Sequence, residues 1–318
     1  AGQMGNGIAH VIALAGYDVA INDIRKEAFE KALGIIQRNM ARQATRGLIT
    51  DNDMKTAMNR ITFAPALESL GDCDVVIEAA TEDETIKLKI FTDMRGKTKK
   101  SAILASNTSS ISITRLASVT ERPEQFIGIH FMNPVPVMQL VELIRGIATE
   151  DTTFATARAF VESLGKQTAV SEDFPAFIVN RILLPMINEA IYTLYEGVGG
   201  VEAIDTAMKL GARHPMGPLE LADFIGLDTC LSVMQVLHDR QAGVERPEVR
   251  AGVLVHLEPA HPGGDALEHR TAARRRAAAQ EADVDRVRVE RGVRRPQRGR
   301  GVDADAPERA ELLADHRR

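Results

Sequence analysis

His130 and Glu142 stand twelve residues apart in FIGIHFMNPVPVMQLVE, the stretch from Phe126 to Glu142. An imidazole at the end of one apolar strand and a carboxylate on the strand returning past it are the material of a general base with its orienting partner. Neutral imidazole, with an unperturbed pKa of about 6.5, accepts a hydroxyl proton near physiological pH. Ionised Glu142 would orient the ring and stabilise the imidazolium that forms. Such a pair suits oxidation of a secondary alcohol, in which hydride leaves carbon while a base takes the hydroxyl proton. Taken alone it reads more readily as a satisfied core histidine beside a surface glutamate, and its surroundings reverse that preference.

The chain opens on AGQMGNGIA, which has the form of GxGxxG without its first glycine, so that Gly2 and Gly5 fill the second and third places. Glycines at such a turn let backbone approach a pyrophosphate, and the helix that follows offers its N-terminal amides and positive dipole end. Helical periodicity runs through Ile8, Val11, Ile12 and Ala15 and stops at Gly16. YDVAIND then alternates as a strand and ends on Asp23, placed to hold an adenosine ribose. A carboxylate there favours NAD over NADP, because it would repel a 2′-phosphate. The strand that precedes this turn in the full motif is expected to be missing.

Further strands recur at α/β spacing: residues 60–63, 74–78, 102–106, 126–131 and 140–144, with a last one at 167–171. Their near-continuous apolar runs predict a buried sheet. At their carboxyl ends, where doubly wound sheets bind ligands, stand Glu78 and Glu82, SNTSS from Ser106 to Ser110, and His130 with Asn133; Lys87 lies in the next helix. Asn107, Thr108 and Ser109 also suit turn and cap positions, and Lys87 a surface. Ahead of these strands a long helix over residues 25–46 carries Arg38, Arg42 and Arg46 on one face. That face is either solvated or a site for an anionic carrier such as a coenzyme A phosphate.

With 318 residues and 44% hydrophobic content, the chain can hold two domains of a globular protein. It has no apolar run of membrane-spanning length, no secretory pattern at its start, and cysteines only at Cys73 and Cys230. These features predict a cytoplasmic protein without disulfide framework or zinc site.

Beyond EDFP, with proline near a first helical turn, the pattern is helical: residues 176–196 with a broad apolar stripe bearing Asn180, then 201–211, 219–225 and 227–237. The stripe predicts burial against another helix or a second subunit. Asn180 alone reads as a polar helix contact. Composition changes after His238: the last eighty residues hold 17 of the 29 arginines, no lysine, and no Ile, Phe, Tyr, Met or Asn. Nucleic-acid binding is disfavoured there by interspersed acids and the lack of aromatic residues. The absence of amino acids with AT-rich codons predicts a frameshifted ending, with a disordered extension as the other reading.

AGQMGNGIA, VVIEAATE with Lys87, SNTSS, HFMNPVP, MQLVELI and FIVNRI together resemble the short-chain L-3-hydroxyacyl-CoA dehydrogenases, over about residues 1–238. The resemblance implies a Rossmann-like doubly wound α/β domain at 1–172, its first strand missing. A smaller, all-helical substrate and dimerisation domain would follow at 173–238, and a tail at 239–318. It implies that Gly2, Gln3, Met4 and Gly5 meet the NAD pyrophosphate, Asp23 the ribose, and Glu82, Lys87 and Asn133 the nicotinamide half. Ser109 and Asn180 would contact the substrate, with His130 as catalytic base and Glu142 as its partner. An acyl-CoA is then the substrate and a homodimer the assembly. The competing class is a catalytically impaired scaffold that keeps nucleotide or coenzyme A affinity.

Overall fold

The structure, a computed structural model, describes residues 1–239. The tail expected after His238 therefore lies, from residue 240 on, outside the described residues. The chain begins with α1 (Gln3–Leu14), β1 (Val19–Asn22), α2 (Lys26–Thr45), α3 (Asp51–Asn59) and β2 (Ile61–Ala64). Next come β3 (Val75–Glu78), α4 (Glu84–Asp93), β4 (Ile103–Ser106), α5 (Ile113–Ala117), β5 (Phe126–Phe131), β6 (Leu140–Arg145), α6 (Asp151–Ser163) and β7 (Gln167–Glu172). The helices α7 (Val179–Tyr195), α8 (Val201–Gly211), α9 (Pro218–Ile225) and α10 (Leu227–Asp239) complete the described part.

The strands form two pieces, a parallel pair β1-β2 and a five-stranded sheet in the order β3-β4-β5-β6-β7. Within the larger piece only β5 and β6 run antiparallel. The break expected in the doubly wound sheet falls between β1 and β3, which border one cavity.

Side-chain alternation divides the larger sheet into two packed faces. Ile127, Ile129 and Phe131 of β5, with Val141 and Leu143 of β6, pack on Ile8 and Val11 of α1 and Ala157 and Val161 of α6. Phe126 and Ile144 point the other way, onto Phe91 of α4 and Ile113 and Leu116 of α5. Period two therefore aims His130 and Glu142 at the α4–α5 face. Gly128 lies between Phe126 and His130 on that face; a Cβ there would stand 2.8 Å from Ile144 Cβ and 2.9 Å from Ile113 Cδ1. Its lack of a side chain lets α5 close onto β5 beside His130.

Local chemistry sets several helix boundaries. Thr50 and Asp53 form a reciprocal capping box at α3, and Asp83 accepts the Ile86 amide at α4. The helix expected from residue 176 starts later, at Val179, because Ala176 and Phe177 have φ of 61° and 52°. Two consecutive left-handed residues cannot continue a right-handed helix. Helix α6 and the short α5 were not anticipated from the sequence. The stripe on α7 is only partly covered: Leu184, Ile187 and Ile191 pack against α9 and α10, while Ile182 is exposed. Among the described residues no helix is long and apolar enough to cross a membrane.

Candidate active site

His130 and Glu142 are register partners across the antiparallel β5–β6 pair. Their side chains meet on one face, with His130 Nδ1 2.8 Å from Glu142 Oε2. The pair is dry, His130 being 5% and Glu142 0% exposed. Glu142 Oε1 accepts the backbone amides of Ile178 at 3.1 Å and Val179 at 2.9 Å, at the start of α7. Each carboxylate oxygen is thus an acceptor, so Nδ1 must donate, and the lone pair of neutral His130 lies on Nε2. That nitrogen is 3.2 Å from Ser109 Oγ. The Phe177 ring lies 5.8 Å from the imidazole, centroid to centroid.

Ser109 is held by the turn it sits in. Glu82 Oε1 accepts from Thr108 Oγ1 at 2.6 Å, from the Ser109 and Ser110 amides at 2.8 and 3.0 Å, and from Ser110 Oγ at 3.0 Å. Thr108 Oγ1 receives the Ser110 and Ile111 amides, and Asn107 Oδ1 receives the Phe131 amide at 2.8 Å, tying the turn to β5. Asn107 and Thr108 thus act as the turn and cap residues that their types suggested. Below them, Lys87 (1% exposed) bonds Glu78 at 2.7 and 3.0 Å, and Ser106 Oγ donates to Glu78 at 2.6 Å. A buried charge so paired stiffens the ends of β3 and β4.

Gly2, Gln3, Met4, Gly5, Asp23 and Asn133 line one cavity, which is continuous with the break between β1 and β3. Gly2 is the N-cap of α1 and no side chain caps it, so the first-turn amides are open to an anion. Gln3 Nε2 donates to Asn133 Oδ1 at 3.2 Å. The Asp23 carboxylate stands just past β1 and accepts the Arg25 amide at 3.0 Å. An uncapped helix start and an ionised acid at the end of β1, facing one cavity, fit the pyrophosphate and ribose of a dinucleotide.

Two family models match successive stretches of the chain: "3-hydroxyacyl-CoA dehydrogenase, NAD binding domain" over residues 1–174, and the C-terminal domain of the same family over 177–257. The chain belongs to the 3-hydroxyacyl-CoA dehydrogenase family. It is 67% identical over 239 residues to a 3-hydroxybutyryl-CoA dehydrogenase of Bradyrhizobium diazoefficiens, covering 75% of this chain and 82% of that one. A 3-hydroxybutyryl-CoA dehydrogenase of Clostridioides difficile is 44% identical, covering 74% and 84%. The crystal structure of (S)-3-hydroxybutyryl-CoA dehydrogenase from Ralstonia eutropha matches with a TM-score of 0.75 and 48% identity, over 78% of this chain and 87% of that one.

This 3-hydroxyacyl-CoA dehydrogenase domain binds NAD, but the residues expected at the cofactor do not all face the cavity. Lys87 is buried on Glu78, with Glu82 Oε2 3.6 Å away. Glu82 spends its other oxygen on the 108–110 turn. Asn180 is half-buried on the first turn of α7, one residue past the amide bound by Glu142. Arg38, Arg42 and Arg46 are all exposed, as a solvated face requires.

Two contributions to the site escaped sequence reading. Gly7 packs α1 against the turn after Asn133, and a Cβ there would stand 2.9 Å from Val135 Cβ. The third glycine of AGQMGNG carried that signal, two residues beyond the motif. Asp173 accepts from Ser112 Oγ and the Ile113 and Thr114 amides at 2.7–2.9 Å, fastening the domain junction to α5. A lone acid at a predicted boundary gives no sign of a partner sixty residues away.

Proposed function

We propose that this chain interconverts (S)-3-hydroxyacyl-CoA and 3-oxoacyl-CoA with a short acyl group, 3-hydroxybutyryl-CoA foremost, using His130 as general base and acid. The observation that carries the reading is the buried dyad with Ser109 on the free imidazole nitrogen. Bound NAD supplies the hydride acceptor. In oxidation His130 Nε2 takes the C3 hydroxyl proton, and in reduction it returns that proton to the alkoxide. Glu142 fixes the ring and stabilises its charged form, as an acceptor that keeps the Nδ1 proton. Ser109 Oγ, beside Nε2, orients the substrate oxygen, and Asn180 reaches toward the carbonyl from the helical side.

Gly2, Gln3, Met4 and Gly5 receive the pyrophosphate, Asp23 the adenosine ribose, and Asn133 the nicotinamide half, with Glu82 and Lys87 supporting that half. Residues 1–172 serve as the NAD-binding domain and 173–238 as the substrate and dimerisation domain. Support for a homodimer is the uncovered part of the α7 stripe, where Ile182 is exposed. The reading places the reaction in fatty acid or butanoate metabolism in the cytoplasm; the substrate in the names of the relatives supports the metabolic part.

The test is NADH oxidation on addition of acetoacetyl-CoA, beside direct titration of NADH. Expected is turnover that falls at least ~100-fold in His130→Ala while NADH binding persists. Unchanged turnover in His130→Ala would remove His130 from its role. NADH binding without any turnover in the parent chain would favour the impaired nucleotide-binding alternative.

A further inference from the structure

Lys166 belongs to none of the interactions above, yet it is buried, with 8% exposure. It stands immediately before β7, and its ammonium donates to Val135 O at 2.7 Å and Met138 O at 2.8 Å. Among the described residues no carboxylate ion-pairs with it, and burial alone moves its pKa below the usual lysine value. A long cationic side chain placed in the interior without a counterion is unfavourable unless its hydrogen bonds are used. Here both bonds go to one turn.

That turn is the one following Asn133. The amides of Val137 and Met138 both close on Pro134 O at 3.0 Å, so residues 134–138 form a compact unit. One side of it lines the cofactor cavity through Asn133, Pro134, Val135 and Pro136. Val135 also abuts Gly7 on α1, and Asn133 accepts from Gln3 on the first turn of the same helix. Lys166 holds the opposite side. Its two acceptors bracket the turn, so withdrawing the ammonium leaves two carbonyls unpaired and frees the unit to shift away from α1.

We propose that Lys166 is a positioning residue for the cofactor, acting through the Val135 and Met138 carbonyls to hold Asn133 and Val135 against the start of α1. The proposal rests on the reading that this cavity takes NAD and that Asn133 meets its nicotinamide half. Lys166 does not reach the His130–Glu142 dyad, which lies on the other face of β5 and β6. The effect of its loss is therefore confined to the nucleotide.

The decisive experiment compares Lys166→Met with the parent chain and with Lys99→Met, which removes a half-buried lysine paired to Asp74. NADH affinity is titrated directly, and KM for NADH and for acetoacetyl-CoA are measured separately with kcat and thermal midpoints. Expected is NADH binding weakened about tenfold, equivalent to ~1.4 kcal/mol, with KM for acetoacetyl-CoA changed by less than about twofold, within ordinary non-additivity. Lys166→Gln, which keeps an N–H donor in a shorter side chain, should fall between; it carries the test alone if Lys166→Met does not fold. Unchanged NADH affinity in a folded variant overturns the proposal. So does an equal rise in both KM values alongside a lowered midpoint, the signature of general destabilisation. Failure of the parent chain to bind NADH overturns the cofactor reading and this proposal with it, whereas parental binding with unaltered variants overturns this proposal alone.

Discussion

Replacing Glu142 by Gln keeps the shape of the side chain and removes one acceptor, which makes it the sharpest probe of the dyad. The carboxylate serves three donors: His130 Nδ1, and the Ile178 and Val179 amides. A carboxamide has one oxygen and one NH2 group, so it cannot serve both sides. If its oxygen stays on the two amides, its NH2 meets His130 Nδ1, which must then accept, and the imidazole proton moves to Nε2. If it flips, two buried amides face a donor, at about 1–3 kcal/mol each. The first arrangement therefore wins, and it leaves His130 presenting a proton where the substrate oxygen needs a base. Turnover is expected to fall ~10²- to 10⁴-fold, the usual contribution of general acid–base catalysis, or ~2.7–5.5 kcal/mol in the barrier. NADH affinity should be retained, because Glu142 does not line the cofactor cavity. Steady-state kinetics with acetoacetyl-CoA and a parallel NADH titration measure both. A kcat within about threefold of the parent, in a folded variant, would refute the tautomer argument.

Gly7→Ala sets helix propensity against packing. Alanine gains up to about 1 kcal/mol in a helix interior, but its Cβ would stand 2.9 Å from Val135 Cβ, an atom that no rotamer change can move. Overpacking at ~1–3 kcal/mol wins, so the midpoint in thermal unfolding and the NADH affinity should both drop; a more stable variant would show the contact to be soft. For His10, burial lowers the imidazole pKa below 6.5, partly opposed by the Gln43 hydrogen bond and reinforced by Lys166. The unfolded chain then binds the proton more readily than the folded one, so this group's stabilisation is present above about pH 6.5 and is lost as pH falls below it. His10→Leu should show a smaller drop in thermal midpoint between about pH 7.5 and 5.5 than its parent, and an equal drop would clear His10 of the effect.

The central strands were legible because they are apolar runs of four to six residues bounded by turn signals, and β5 lies where it was expected, at Phe126–Phe131. The antiparallel return of β6 was legible too, since the short turn after Asn133 leaves no room for a crossover helix. Less legible was the start of α7, which depends on two positive φ values that neither Ala176 nor Phe177 advertises. Glu82 and Lys87 could be named from their place at strand ends. Which way their side chains point could not, because the choice between the cavity, Glu78 and the 108–110 turn is made by residues up to 28 positions away.

By itself the sequence determined the order of the strands, the glycine-led helix with its following acid, and the His130–Glu142 pairing. All of these follow from local periodicity and from register on adjacent strands. Only the tertiary structure decided that Glu142 also holds the start of α7, that Gly7 rather than Gly5 carries the helix-to-turn contact, and that Lys166 grips the turn behind Asn133. Those are satisfactions of buried donors and acceptors by distant partners, and hydrogen-bond geometry between remote segments leaves no period in the chain for a reader to find.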